Sequence, residues 1–368
     1  MTRILCLSLL SIACSQDAGE TAGGHALPPM RGLAPLTPLG PQLPNAVTPA
    51  PGTWRPPAQG PSQPPSQNPP QPPADDPAGA PYPIVLMHGM FGFQKIELLG
   101  LDYFNGIVAD LAAHGETQVF ATHVPMLASS ADRATAIQPF IDQVLAQTGK
   151  RKVNLIGHSQ GGLDARYLVS SMGYGDRVAS VTMIATPNHG SRVADAILAL
   201  APGATYPLLE PLLDLYGIIA GDPTSQKDLQ TSLQWLSESY VDEVFNPANP
   251  DDPRVLYFSW AGRSNLAAGG ADCQGGMIPD DNSKLDLVDP LFLATGGFLS
   301  TEGMPDHPVN DGLVSVNSAK HGTFMGCVPA DHLDEVGQLA ESGADLITGF
   351  DHLAFFRTVV GNLRNNGL

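Results

Sequence analysis

The stretch with the clearest chemistry is Val153-Asn154-Leu155-Ile156-Gly157-His158-Ser159-Gln160-Gly161-Gly162. A short apolar run leads into Gly-His-Ser-Gln-Gly, and an amphipathic segment, Leu163 to Ser171, follows. That order reads as strand, sharp turn and helix, with a serine at the apex. Flanking glycines let strand and helix pass closely without Cβ clashes. The hydroxyl of Ser159 is then pushed out beyond the strand end, and the first free N–H groups of the next helix face any negative oxygen formed beside it. A serine nucleophile needs a base to take its proton and an acid to orient that base. The downstream histidines are His189, His307, His321, His332 and His352. Asn310-Asp311-Gly312-Leu313-Val314 sets an acid on a tight turn before an apolar run, and Ala330-Asp331-His332-Leu333-Asp334-Glu335 sets a histidine in a late polar loop.

The elements that must position these groups can be read from periodicity. Tyr82-Pro83-Ile84-Val85-Leu86-Met87-His88-Gly89 is a continuous apolar run ended by glycine, as for a strand buried on both faces. A helical pattern covers about Tyr103 to His114, a strand Gln118 to Val124, and a second helix about Ala131 to Thr148. Beyond the serine turn, Val178 to Ala185 is another strand, ended by Thr186-Pro187-Asn188-His189-Gly190. Arg254 to Trp260 is a late strand, residues 261–330 read as Gly-rich and loop-rich, and about Phe350 to Asn365 as a closing helix. Strand and helix alternate, so the expected fold is α/β with a mostly parallel, doubly wound sheet and reactive groups at the strands' carboxyl ends. No strand signal appears from Val193 to about Tyr240. That insert, rich in Leu and Ile (Leu198, Leu208, Leu209, Leu212, Leu213, Ile218, Ile219), reads either as core packing or as a helical lid over about 193–245 with an apolar underside.

Composition narrows the function classes. The 368 residues allow a sizeable core. A net charge of −18 argues against nucleic acid as a partner, because phosphate binding needs a basic surface. The first 14 residues carry one positive charge and then an apolar run too short to span a bilayer, which reads as an export signal. Leu10-Ser11-Ile12-Ala13-Cys14 resembles a bacterial lipoprotein cleavage box; lipidation of Cys14 is the preferred reading, with simple cleavage near Ala13 or Ala18 as its rival. Either way the fold is expected outside the cytoplasm, as an outer-membrane or cell-surface lipoprotein or a secreted protein. Residues 15–80 are polar, then Pro-rich, and read as a disordered or polyproline spacer, leaving 81–368 as the folded domain. Cys273 and Cys327 remain as an even pair in an oxidising compartment, so a disulfide is expected, worth about 4 kcal/mol in the chain-entropy model.

A G-x-S-x-G turn between strand and helix is the nucleophile elbow of α/β-hydrolases, where the chain order is Ser, then Asp or Glu, then His. Asp311 and His332 fit that order, with His321 as the nearest competitor. The block from Tyr82 onward resembles the Pseudomonas- and Burkholderia-type bacterial true lipases, the triacylglycerol lipases. The likeness rests on Tyr82 to Phe93, Lys152 to Gly162, Tyr257-Phe258-Ser259-Trp260-Ala261-Gly262, Asn310-Asp311-Gly312-Leu313-Val314-Ser315 and His332-Leu333-Asp334-Glu335-Val336, in the family's order. It implies Ser159, Asp311 and His332 as the triad and the backbone N–H groups of Met90 and Gln160 as the oxyanion hole; His88 and His158 are expected to shape turns. It also implies a structural calcium ion beside the histidine loop, held by Asp289 and Asp334 with carbonyls of Gln338 and Ser342. Its further implications are lipid substrate at an interface and, for some members, a dedicated folding chaperone. The chain departs from the family at Val316-Asn317-Ser318, where the family disulfide has a cysteine, so a Cys273–Cys327 bridge would be shifted. The expected activity is hydrolysis of acylglycerol esters. A short-chain esterase or polyester depolymerase is the alternative within enzymes, and a non-catalytic binding lipoprotein the alternative outside them.

Overall fold

A computed structural model of the chain describes residues 76–92, 95–96, 101–199, 223–264, 271–277, 286, 288–301, 309–338, 345 and 347–368. The expected export signal with Cys14, the spacer up to residue 75 and the Leu-rich residues 200–222 lie outside the described residues. No helix of the described residues is long and apolar enough to cross a membrane.

Six parallel strands form one sheet: β1 (Ile84–Met87), β4 (Val119–Ala121), β5 (Val153–His158), β6 (Val178–Ile184), β7 (Leu256–Gly262) and β8 (Thr323–Val328). A two-residue pair, β2 (Lys95–Ile96) with β3 (Leu101–Asp102), stands apart from it. The spatial order is β4-β1-β5-β6-β7-β8. The chain therefore steps outward from β1 to β4, then returns to the other side of β1. Ligands of open α/β sheets bind in the crevice at the carboxyl ends where the order reverses, here between β1 and β5.

Strand alternation divides the core into two layers. Ile84, Leu86, Ile156, Ile184 and Trp260 pack with α1 (Ile107–Ala113) and with the last helix, His352–Asn365. Val85, Met87, Val153, Leu155, Val181 and Met183 face the other way, against α2 (Ser130–Thr148) and α3 (Gln160–Ser170). Both faces are covered, which is why these strands read as unbroken apolar runs. The helix α2 starts where Ser129 accepts the Asp132 N–H at 3.1 Å and ends on left-handed Gly149. A third apolar cluster lies over the carboxyl ends of the strands. It joins Phe91 and Leu163 to α4 (Arg192–Leu198), to α5 (Pro223–Leu236) and to Phe245, Phe292 and Leu333.

One expected element boundary is corrected. The first helix begins at Ile107, after left-handed Gly106, because Tyr103 and Phe104 turn into the core ahead of it. The loop-rich stretch 261–330 also holds α6 (Leu293–Thr301), α7 (Val316–Ala319) and β8. Its periodicity is hidden by Gly296-Gly297 in the helix and by Gly322 and Gly326 at the edge strand. Ahead of residue 81, Arg151 pairs with Asp76 and its N–H donates to Ala78 O at 3.0 Å, while Lys150 reaches Gly79 O at 2.9 Å.

Cys273 and Cys327 form a disulfide. It ties a turn at Ala271–Cys273 to edge strand β8. Next to it, Asp272 accepts from Val309 N at 3.3 Å and from Asn317 Nδ2 at 3.2 Å, so the bridged segment braces both sides of the turn that carries Asp311.

Candidate active site

Ser159 sits between β5 and α3 with φ 55° and ψ −130°. Such a backbone conformation costs a non-glycine residue on the order of 1–3 kcal/mol. Close packing around it enforces the turn: a Cβ on Gly157 would lie 2.5 Å from backbone atoms of Gly161 and Gly162, and one on Gly161 would lie 2.2 Å from Met87 O. Substituting either glycine therefore requires the strand–helix crossing to open.

His332 donates from Nδ1 to Asp311 Oδ2 at 2.8 Å, and both residues are buried. The second oxygen of Asp311 accepts from Leu313 N and Val314 N at 2.9 and 2.7 Å, and Asp311 O accepts from His332 N at 2.9 Å. This acid is fixed by its own turn. Its neighbour Gly312, at φ 98°, has no room for a side chain, because a Cβ would meet Phe292 at 2.6 Å. With Nδ1–H committed to the carboxylate, Nε2 of His332 is left to accept a proton. Ser159 and His332 line one narrow cavity together with Met90, Phe91, Pro187, Val193, Leu233, Leu236 and Leu313; it offers about 40 Å³ to water-sized molecules. His321 is elsewhere, paired with Asp251 at 2.9 Å.

The loop 88–92 is held on every side. Arg133 Nη2 donates to His88 O at 2.5 Å and Phe91 N to Met126 O at 3.0 Å. His88 Nε2 accepts from Val124 N at 3.2 Å, which makes Nδ1 the donor to Gly89 O at 2.9 Å. Gly92 N also donates to Gly89 O, at 3.2 Å. The carbonyl of the Gly89–Met90 peptide is thus bound on one side, and its N–H, opposite, donates to no described residue. Gln160 N–H is likewise without an acceptor among the described residues at the start of α3, while the Gln160 side chain turns away to Ala128 O at 2.9 Å. Burial keeps both histidines of the two motifs neutral: His88 is lowered to about 3 and His158 well below its ordinary value, each through desolvation first.

A second group of acids lies behind the histidine loop. Carboxylate oxygens of Asp286, Asp331 and Asp334 fall within 4.8 Å of one another and could hold a metal ion. Desolvation, then neighbouring acids, raises Asp331 to about 6 and Asp334 to about 7, and the charge of Asp289 contributes to both. Of the expected ligand set, only Asp334 belongs to this trio. Asp289 caps the turn Pro290–Phe292 by accepting Leu291 N at 2.8 Å, Gln338 N donates to Leu333 O at 3.0 Å, and Ser342 lies outside the described residues.

Residues 82–206 match the alpha/beta hydrolase fold family. The triacylglycerol lipase of Vibrio cholerae serotype O1 is 31% identical over 310 residues, covering 78% of this chain and 89% of that protein. The chain belongs to the bacterial triacylglycerol lipase family. Another member, from Pseudarthrobacter phenanthrenivorans, is 30% identical over 324 residues, 79% of this chain and 99% of the relative. Among solved structures, the mature lipase BlEst2 of Bacillus licheniformis has the same fold, with a TM-score of 0.52 over 77% of this chain and 93% of that one at 20% identity. As a member of this lipase family, the chain is an ester-hydrolysing enzyme.

Several residues of this lipase-family site were not singled out from sequence. Arg133 and Asp164 form an ion pair at 2.7 Å with both side chains fully buried, behind the serine turn. Tyr103 and Glu335 contact His158 from opposite sides. A Tyr in an apolar helical pattern and a Glu in a polar loop carry no signal of burial. Asp331 was visible only as the neighbour of His332.

Proposed function

We propose that the chain hydrolyses acylglycerol esters, with Ser159 as nucleophile, His332 as general base and Asp311 as the acid that orients it. The observation that carries this is the 2.8 Å contact of Asp311 with His332, which lines one cavity with Ser159 and Met90. His332 Nε2 takes the proton of Ser159 as Oγ attacks the ester carbonyl carbon. Met90 and Gln160 N–H groups hold the resulting oxyanion. The imidazolium then protonates the departing glycerol oxygen, the C–O bond breaks, and an acyl-enzyme remains. Water, deprotonated by His332, attacks that ester; the fatty acid leaves and Ser159 recovers its proton. The names of the Vibrio and Pseudarthrobacter relatives support triacylglycerol as the substrate class. The apolar cluster over the cavity supports a greasy acyl chain.

A short-chain esterase is the second reading, favoured by the narrowness of the cavity, since space for little more than one water must widen before a long chain can enter. Titrating fatty-acid release from emulsified long-chain triacylglycerols, alongside soluble short-chain esters, separates the two. Release from long-chain emulsions is the expected outcome. Turnover of the soluble short esters alone would defeat the lipase reading.

Asp286, Asp331 and Asp334 offer an all-oxygen donor set of the kind calcium prefers. Buried like charges this close need a cation or protons to coexist. We place calcium there, where it would supply positive charge that lets all three carboxylates ionise and would staple the His332 loop to the 286–289 segment. Chelation is expected to lower the melting temperature by roughly 5–10 °C, reversed by added calcium but not by sodium. A melting curve indifferent to chelator would remove the ion from the account.

A further inference from the structure

Three buried residues outside the triad join its separate parts. Gly89 N donates to the Tyr103 hydroxyl at 3.1 Å. That hydroxyl lies 2.7 Å from His158 Nδ1. On the far side of the same ring, His158 Nε2 lies 3.2 Å from Glu335 Oε2. The ring also packs against the His332 ring, with centroids 4.7 Å apart. His158 and Glu335 are fully buried, and Tyr103 nearly so.

A backbone N–H can only donate, so the tyrosine oxygen accepts from Gly89. A neutral imidazole has one N–H, so His158 donates along one edge of its ring and accepts along the other. The chain of contacts runs from Gly89 N–H to Tyr103 Oη, on to His158 Nδ1, and from His158 Nε2 to Glu335 Oε2. Each bond sets the polarity of the next, and buried chains of this kind resist rearrangement. The first residue precedes Met90, the middle one precedes Ser159, and the last follows His332 by three. Space is equally tight: a Cβ on Gly89 would stand 2.6 Å from Ser159 Cβ and 3.0 Å from the Tyr103 hydroxyl.

We propose that Tyr103, His158 and Glu335 form a positioning tether that fixes the oxyanion loop, the nucleophile turn and the catalytic-histidine loop in mutual register. It rests on the roles given above to Ser159, His332 and Met90. None of the three touches the reacting atoms. The tether acts through the loops it joins, so its loss should weaken transition-state binding more than ground-state binding.

Tyr103→Phe removes only the hydroxyl. In the full-length protein it is expected to lower kcat about tenfold or more with KM within about twofold, per active site titrated by a fluorophosphonate. Affinity for an alkyl boronic acid, which forms a tetrahedral oxyanion on the serine, should fall in step. Glu335→Met cuts the other end and should give the same signature. Because both variants break one chain, the double variant should be little worse than the poorer single. Should one single variant fail to fold, the other carries the test through the same two readouts. Unchanged boronate affinity per active site, or losses that simply add in the double variant, would overturn the tether. If the native protein is not labelled by the fluorophosphonate at Ser159, the failure lies instead with the catalytic assignment.

Discussion

Ser159→Ala is expected to abolish ester hydrolysis, with kcat down by roughly 10⁶-fold, while the fold melts at an unchanged temperature. The alanine keeps the Cβ and the same backbone demand at φ 55°, so it neither relieves nor adds strain. Ser159→Gly removes the nucleophile too, but glycine accepts positive φ freely, so that variant should be the more stable of the two by about 1 kcal/mol. His332→Ala should match the serine variant, and combining them should cost nothing further, because base and nucleophile act as one unit. Fluorophosphonate labelling and a glyceride assay on each protein decide the point. Hydrolysis surviving in Ser159→Ala at more than a trace would place the nucleophile elsewhere and take the triad assignment with it.

How much of this was legible beforehand depends on where each residue's partners lie. Ile84 to Met87, Val153 to Ile156 and Val178 to Ile184 are covered on both faces, so burial itself writes an unbroken apolar run that can be read without a structure. Ser159 was legible because a strained turn needs its glycines in fixed places; for Asp311 and His332, chain order narrowed the choice but left His321 open, and the resemblance to the true lipases favoured His332. Edge strand β8 was not legible, since one flank has no strand neighbour among the described residues and Gly326 interrupts its pattern. The acidic trio shows a different limit. Asp286 and Asp289 are equally acidic in sequence; in the fold Asp286 joins Asp331 and Asp334, while Asp289 caps the turn at Pro290–Phe292 and adds its charge to theirs. Arg133, Asp164, Tyr103 and Glu335 gain their meaning from long-range contacts alone, and no local pattern distinguishes a charged residue that turns inward.

Arg133→Met is expected to destabilise the protein by about 3–5 kcal/mol, more than any surface charge change, because it strands a carboxylate in the interior. The guanidinium donates to Asp164 at 2.7 Å, to Pro125 O at 2.6 Å and to His88 O at 2.5 Å, with no exposure of either side chain in the pair. Burial already raises the Asp164 carboxyl to about 6 even though Arg133 pulls the other way. Without the arginine it must rise further. A carboxyl whose folded pKa lies above its unfolded value favours the fold in its neutral form. That contribution is complete below the unfolded pKa, about 3.9, and is lost as pH rises through the folded one. The variant should therefore be least impaired near pH 5 and most impaired near pH 8. Arg133→Met/Asp164→Leu removes the stranded charge and should recover most of the lost stability and its pH dependence. It should not recover kcat, since His88 O still lacks the donor that holds the peptide next to Met90. Melting curves at both pH values, with kcat for both variants, test the two roles separately. A pH-independent loss in Arg133→Met would contradict the stranded carboxylate. Full activity in the double variant would reduce Arg133 to a partner for Asp164 and leave Met90 to be positioned by His88, Phe91 and Gly92 alone.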